Sequence, residues 1–323
     1  MSLFIVAEIS ANHNGSIERA LRLIQSAKDS GASAVKFQTY KPDSMVLNDY
    51  LIPDGPWKGR SLRDLYKEAQ TPWGWHQRLF DCARNLGLVP FSTPFDSEAV
   101  DFLESLNCKI YKIASFEITD LELIRKVSHT NRPVILSTGM SFKEEIKKAT
   151  ETAIFSGCRD LTLLKCTSAY PAPPSDANLK TLEDMKQFGF KVGISDHTLG
   201  IGVSVAAVAL GAVVIEKHLT LSRSDGGPDS GFSMEPDEFK TLVTEANRAY
   251  ESLGTVRYGP TESEKSSLKY RRSLYFNADL PKGTLINKEH IKSARPALGL
   301  SSDKLEEIIG KRLEHDVRRG DTV

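Results

Sequence analysis

Eight short runs of apolar and β-branched residues, nearly all separated by segments of helix length, constrain this chain more than any other feature. They are FIVAEIS (4–10), AVKFQTY (34–40), LVPFSTPF (88–95), IYKIAS (110–115), PVILSTG (133–139), LTLLKCTSAY (161–170), VGISDHT (192–198) and AVVIEKHLT (212–220). Near-continuous apolar runs of this length suit strands buried on both faces of a parallel sheet. Strands alternating with helices eight times over predict a closed (β/α)8 TIM barrel. A doubly wound open sheet is disfavoured, because no glycine-rich GxGxxG follows the first run.

The last two runs carry the sharpest local signal. VGIS and AVVIE lead to His197 and His218, and LGIGVSVAAVALG between them is apolar and small enough for a helix packed closely on a sheet. A strand–helix–strand unit with so short a crossover is parallel, so both histidines emerge at one C-terminal edge, where α/β barrels place their chemistry. Two imidazoles there, with Asp196 and Glu216 as neighbours, could hold a divalent metal. Packing or local hydrogen bonding is the other reading, and the spacing alone does not choose between them.

Between the first runs, IERALRLIQSAKDSG has apolar residues at helical spacing and a glycine stop at Gly31. Residues 41–71 break the rhythm with prolines, glycines and aspartates, and only LRDLYKEAQ reads as helix. A long excursion on the catalytic face predicts a substrate-covering loop, and SRSDGGPDSGFSM (222–234) is a second one. The helix EPDEFKTLVTEANRAYESLG should close the barrel, giving a catalytic domain over 1–254. A polar linker follows at 255–272, and short alternating pieces punctuated by PKG predict a small β-rich module over 273–323, with one short helix and a final strand in its last stretch.

The 323 residues suffice for one large and one small domain. Lys and Arg together number 42, as do Asp and Glu, so no basic footprint points to nucleic acid or to an anionic membrane. The longest apolar stretch, near 201–215, is too short for a membrane span. Cys82, Cys108, Cys158 and Cys166 form no CxxC pair, which suits reduced thiols. The opening MSLFIVAEIS lacks the basic region and apolar length of a secretory signal, so the expected location is the cytoplasm.

The predicted strand ends carry an unusual set of side chains. The first offers Glu8 and then Asn12, His13, Asn14 and Gly15; the second Lys36 and Gln38; the third Ser92 and Thr93; the fourth Lys112 and Ser115. The fifth adds Ser137 and Thr138, the sixth Lys165, Thr167, Ser168 and Tyr170, and the seventh Ser195. Fixed positive charge with a ring of hydroxyl donors is what a phosphate dianion requires. Lysines inside a barrel are costly to leave unpaired, so a bound anion is their natural partner.

AEISANHNGS, AVKFQTYKPDS, FSTPFD, YKIASFE, STGM, LLKCTSAYPAP, GISDHTLG, IEKHLT and GPDSGFSM together resemble the sialic acid synthase family. The likeness runs from residue 4 to about 320, and DLPKGTLI and ARPALGL resemble the antifreeze-like SAF domain that such enzymes carry. Ser10–Ala11 before Asn12, the TPWGWH run, Lys165 and Ser168 look most like the pseudaminic acid synthase branch. The resemblance implies condensation of phosphoenolpyruvate with an N-acetylated amino-aldose and water, releasing phosphate. For the pseudaminic branch the sugar is 2,4-diacetamido-2,4,6-trideoxy-L-altrose; N-acetylneuraminate or legionaminate synthesis is the alternative. A non-catalytic sugar-binding barrel is a reading of another class, which the intact lysines, histidines and Glu216 disfavour.

By the same resemblance, Lys36, Thr93, Lys112, Ser115, Ser137, Ser168 and Ser195 hold phosphoenolpyruvate. Gln38, Tyr170 and Asp229 contact the sugar, Glu216 handles the attacking water, and Glu8 acts beside the sugar. His197 and His218 share a divalent metal; with only two histidines, its other positions fall to water and substrate oxygens, which suits Mn²⁺ or Mg²⁺ better than a closed structural zinc site. The family also implies a domain-swapped homodimer in which Arg295 of one subunit reaches the sugar in the barrel of its partner.

Overall fold

The computed structural model describes residues 3–323. Its main element is a closed parallel barrel of eight strands paired in chain order. The strands are β1 (Phe4–Glu8), β2 (Ala34–Thr39), β3 (Val89–Pro94), β4 (Tyr111–Ile113), β5 (Val134–Ser137), β6 (Leu161–Cys166), β7 (Lys191–Ser195) and β8 (Val214–His218). β8 closes on β1 with Glu8 opposite His218, and β2 lies on the other side with Lys36 opposite Glu8. Register alone therefore brings a carboxylate, a lysine and a histidine to one level of the barrel. No helix among the described residues is long and apolar enough to cross a membrane.

The covering helices form where the sequence places apolar residues on one stripe. Ile17–Asp29 starts at Ser16, whose hydroxyl accepts from the Arg19 amide, and buries Ala20, Leu23, Ile24 and Ala27. The chain then turns at Gly31, where φ is 84°. Gly202–Ala209 is the small-residue helix between β7 and β8, and Pro236–Ser252 is the long final helix of this unit. Within the 41–71 excursion the helix is Leu62–Ala69, capped by Ser61, and a single turn at Pro42–Met45 precedes it.

Residues 3–254 form one compact unit and 255–323 another. The second has its own small core of Phe276, Ile286, Leu313 and Val317 around an antiparallel pair, β9 (Ser273–Phe276) and β10 (Ile291–Ala294). The polar linker segment, 255–272, includes a short helical turn, Lys265–Tyr270. The short helix expected near the C-terminus is Leu305–Ile308, but no strand follows it. Thr322, Val317 and Arg312 instead make single bridges to Tyr275, Leu280 and Leu285. Gly310 and Gly320, both at positive φ, turn the chain too often for a ladder to extend.

Candidate active site

Alternation along the strands selects which side chains enter the barrel. Glu8, Lys36, Lys112 and Glu216 all point inward, each less than a tenth exposed. Lys36 Nζ lies 2.5 Å from Glu8 Oε2 and 3.6 Å from Glu216 Oε1, and donates to Thr93 Oγ1 at 3.2 Å. Lys112 Nζ lies 3.7 Å from the same Glu216 oxygen, which also accepts from Ser195 Oγ at 3.3 Å. The two carboxyls differ in their surroundings. Burial, with Glu216 nearby, pushes Glu8 up to about 7 in spite of Lys36. Glu216 is equally buried, but Lys112 and Lys36 outweigh that and hold it below the usual carboxylate range. With Glu8 only partly ionised near neutral pH, the two lysines outweigh the carboxylates and leave an excess of positive charge for an incoming anion.

The hydroxyl donors gather beside the lysines. Ser115 Oγ accepts from the Gly139 amide at 3.0 Å, and Ser137 Oγ is buried without a hydrogen-bond partner. A Cβ on Gly139 would collide with Ser168 Oγ and lie 2.8 Å from Ser115 Oγ. Glycine at this point lets two serines and a backbone amide close on one small volume. The structure thus brings Lys36, Thr93, Lys112, Ser115, Ser137, Ser168 and Ser195 to the barrel interior and its C-terminal rim. It sends other expected strand-end residues elsewhere. Thr138 Oγ1 donates to Leu164 O, Thr167 Oγ1 to Asp176 O, Lys165 Nζ to Cys166 O, and Ser92 Oγ to Phe37 O.

The rings of His197 and His218 lie side by side, centroids 5.4 Å apart. His197 Nδ1–H donates to Thr167 O at 3.0 Å, which orients the ring and leaves Nε2 as its free nitrogen. His218 Nδ1 is buried without a hydrogen-bond partner. Burial and nearby cations lower the His218 pKa well below the ordinary value, so its imidazole is neutral. Burial also opposes charge on His197, but the contacts of Nδ1 with Cys166 and Thr167 outweigh it and shift that group upward. Among the described residues no group of three or more His, Cys, Asp or Glu side chains is set to enclose an ion. The donor set fits an open two-histidine site and not a closed structural one. Asp196, expected beside the histidines as a ligand neighbour, is turned the other way. Its carboxylate lies behind the barrel wall, because successive strand residues face opposite sides.

A cavity of about 200 Å³ opens between His218 and the two long loops. Gln38, Tyr170 and Asp229, which the family resemblance assigns to the sugar, are among the residues that line it. Asp229 Oδ2 accepts from Ser10 Oγ at 2.5 Å and from the Ala11 amide at 3.2 Å. The two long loops expected to cover a substrate supply Trp57, Leu65 and Phe232, and with Tyr40, Phe95 and Phe116, which were not foreseen, these make the wall predominantly apolar. Trp57 Nε1–H donates to Pro228 O at 3.0 Å, joining the 41–71 excursion to the 222–234 loop over the cavity. Glu117 was also missed. Its Oε2 is buried without a hydrogen-bond partner, and burial pushes the carboxyl up to about 7. Its position two residues beyond Ser115, in ASFE, was the available signal. Arg295 belongs to the C-terminal unit, where it is exposed on the turn after β10.

The NeuB family model matches residues 23–258, and the SAF domain model matches 271–323. Pseudaminic acid synthase of Campylobacter jejuni is 43% identical over 326 residues, covering 99% of this chain and 95% of that protein. N,N'-diacetyllegionaminic acid synthase of the same species is 38% identical, covering 95% of this chain and 94% of its own. The crystal structure of N-acetylneuraminic acid synthetase from Leptospira borgpetersenii superposes with a TM-score of 0.75 at 34% identity, covering 83% of this chain and 90% of that one. With its lysines, serines and paired histidines assembled at one barrel edge, the chain belongs to the NeuB family of phosphoenolpyruvate-dependent condensing enzymes.

Proposed function

We propose that this enzyme is a pseudaminic acid synthase, condensing phosphoenolpyruvate with 2,4-diacetamido-2,4,6-trideoxy-L-altrose. The observation that carries the choice of sugar is the apolar lining of Tyr40, Trp57, Leu65, Phe95, Phe116 and Phe232 in the cavity that Gln38 and Asp229 also line. A 6-deoxy sugar with two acetamido groups presents three methyls to such a wall, whereas N-acetylmannosamine presents a 6-hydroxyl that would lose its water there without a partner. The 43% identity to the Campylobacter protein supports the same reading.

The reaction joins C3 of phosphoenolpyruvate to the aldehyde carbon of the open-chain sugar, adds water at C2 and breaks the C2–O bond to release phosphate. Lys36, Lys112 and the serines around Gly139 hold the phosphate and carboxylate, so the enol carbon faces the sugar cavity. Glu216 Oε2, buried without a hydrogen-bond partner beside Ser195, accepts a proton from the water that adds at C2. Glu8, Gln38, Tyr170 and Asp229 orient the sugar. His197 and His218 would hold a divalent ion, Mn²⁺ or Mg²⁺, whose chemistry is Lewis-acid polarisation of the aldehyde oxygen. Arg295 of a swapped partner subunit would complete the sugar site with its planar donor fork.

Phosphate release measured with each sugar tests the assignment. kcat/KM for the diacetamido-altrose should exceed that for N-acetylmannosamine by roughly 10²-fold or more, the discrimination available when a buried polar group is left unpaired. Preference for N-acetylmannosamine would overturn the pseudaminic assignment and leave family membership standing.

A further inference from the structure

The wall behind the two histidines contains a fully buried polar network that the reaction itself does not use. On β8 the interior side chains are Glu216 and His218, so Lys217 between them points outward, toward the helix Gly202–Ala209. Its Nζ donates to Asp196 Oδ2 at 2.9 Å and to Thr198 O at 2.6 Å. Asp196 and Thr198 are the residues immediately before and after His197. Asp196 Oδ1 also accepts from the Thr198 amide at 2.8 Å and from Thr198 Oγ1 at 2.7 Å, and Oδ2 from Ser204 Oγ at 2.6 Å. Lys217 is 1% exposed and Asp196 3%. One ammonium group therefore holds the Asp196 carboxylate on one side of His197 and the Thr198 carbonyl on the other, while its own backbone leads directly into His218.

We propose that Lys217 is a positioning residue: with Asp196 it sets the spacing and orientation of the His197 and His218 rings from outside the barrel, and so tunes the affinity of that pair for a divalent cation. The proposal rests on the reading that the two histidines share an ion. It follows from geometry, because β7 and β8 hydrogen-bond only up to Ser195 and Glu216, with the Asp196 amide donating to Glu216 O as the last rung. Beyond that rung the sheet ladder no longer holds the two histidine-bearing ends together, and Lys217 takes over. A buried ion pair made only for stability would be replaceable by apolar side chains without consequence for the site. A pair that acts as a strap would not.

Mn²⁺ titrated into metal-free protein, with free ion followed by electron paramagnetic resonance, separates these cases when thermal unfolding is recorded on the same samples. The variants are His218→Ala, Lys217→Met and the double variant Asp196→Asn/Lys217→Met. His218→Ala should lose saturable Mn²⁺ binding. Lys217→Met should unfold at lower temperature and bind Mn²⁺ at least roughly tenfold more weakly, the usual consequence of removing an outer partner of a metal site. The double variant should recover most of the unfolding temperature, since no charge is left unpaired, while its Mn²⁺ affinity stays low. If Lys217→Met does not fold, the double variant alone carries the test. Wild-type Mn²⁺ affinity in the double variant, or in a folded Lys217→Met, would overturn the positioning role while leaving the histidine site intact. Undiminished binding in His218→Ala would overturn the shared ion, and the strap with it.

Discussion

Lys112→Met should nearly abolish use of phosphoenolpyruvate while leaving the barrel folded. Lys112 is 2% exposed, and its nearest counter-charge, Glu216 Oε1 at 3.7 Å, is shared with Lys36. Burial accordingly lowers the pKa of its ammonium, although Glu216 opposes the shift. A buried cation held this loosely is one for which an arriving dianion is the better partner. Methionine matches the lysine stem in length and leaves Glu216 paired to Lys36. The Michaelis constant for phosphoenolpyruvate should rise by roughly 10²- to 10³-fold, the scale of losing one preorganised charge-stabilising group. The unfolding temperature without ligand should hold or increase, because an under-paired buried charge has been removed. An unchanged Michaelis constant would mean that the anion binds elsewhere.

The second large effect is a gain. Subunits carrying Arg295→Ala and subunits carrying His197→Ala, each nearly inactive alone, should recover activity when mixed and allowed to exchange. In a swapped heterodimer one site combines an intact barrel with an intact arginine, and the other carries both defects. Random exchange makes about half the dimers mixed, so about a quarter of all sites should work. Were Arg295 to serve the barrel of its own chain, every site would keep one defect. A flat mixing curve with exchange demonstrated would remove the swapped arrangement and leave Arg295, at most, to the barrel of its own chain.

What the sequence disclosed, and what it hid, follows from the range of the forces involved. The eight strands were legible because strands buried on both faces must be apolar throughout, and the runs are short and separated by helices. Glu8, Lys36, Lys112 and Glu216 were legible because polar residues inside such runs have only the barrel interior or a covered outer face to occupy. Which of the two they occupy depends on alternation. That is why Asp196, read as a neighbour of the histidine pair, proved to face outward and to pair with Lys217. The sugar wall was illegible for another reason. Trp57 lies in a stretch without periodicity, and at the cavity its indole N–H donates to Pro228, 171 residues away. Glu117 was in view within YKIASFE, but nothing in the spacing said that its carboxyl would be buried without a hydrogen-bond partner for Oε2. The C-terminal tail, read as a strand, became a series of single bridges between turns.

The central claim is that this barrel condenses phosphoenolpyruvate with an amino sugar by cleaving the C2–O bond. Phosphoenolpyruvate carrying ¹⁸O at the bridging position, incubated with the wild-type enzyme, Mn²⁺ and the diacetamido-altrose, tests it most directly when both products are weighed by mass spectrometry. One phosphate should form for each nonulosonic acid, with the ¹⁸O in the phosphate and a solvent oxygen at C2 of the sugar acid. Label retained in the sugar acid, or phosphate released without a condensed product, would contradict it.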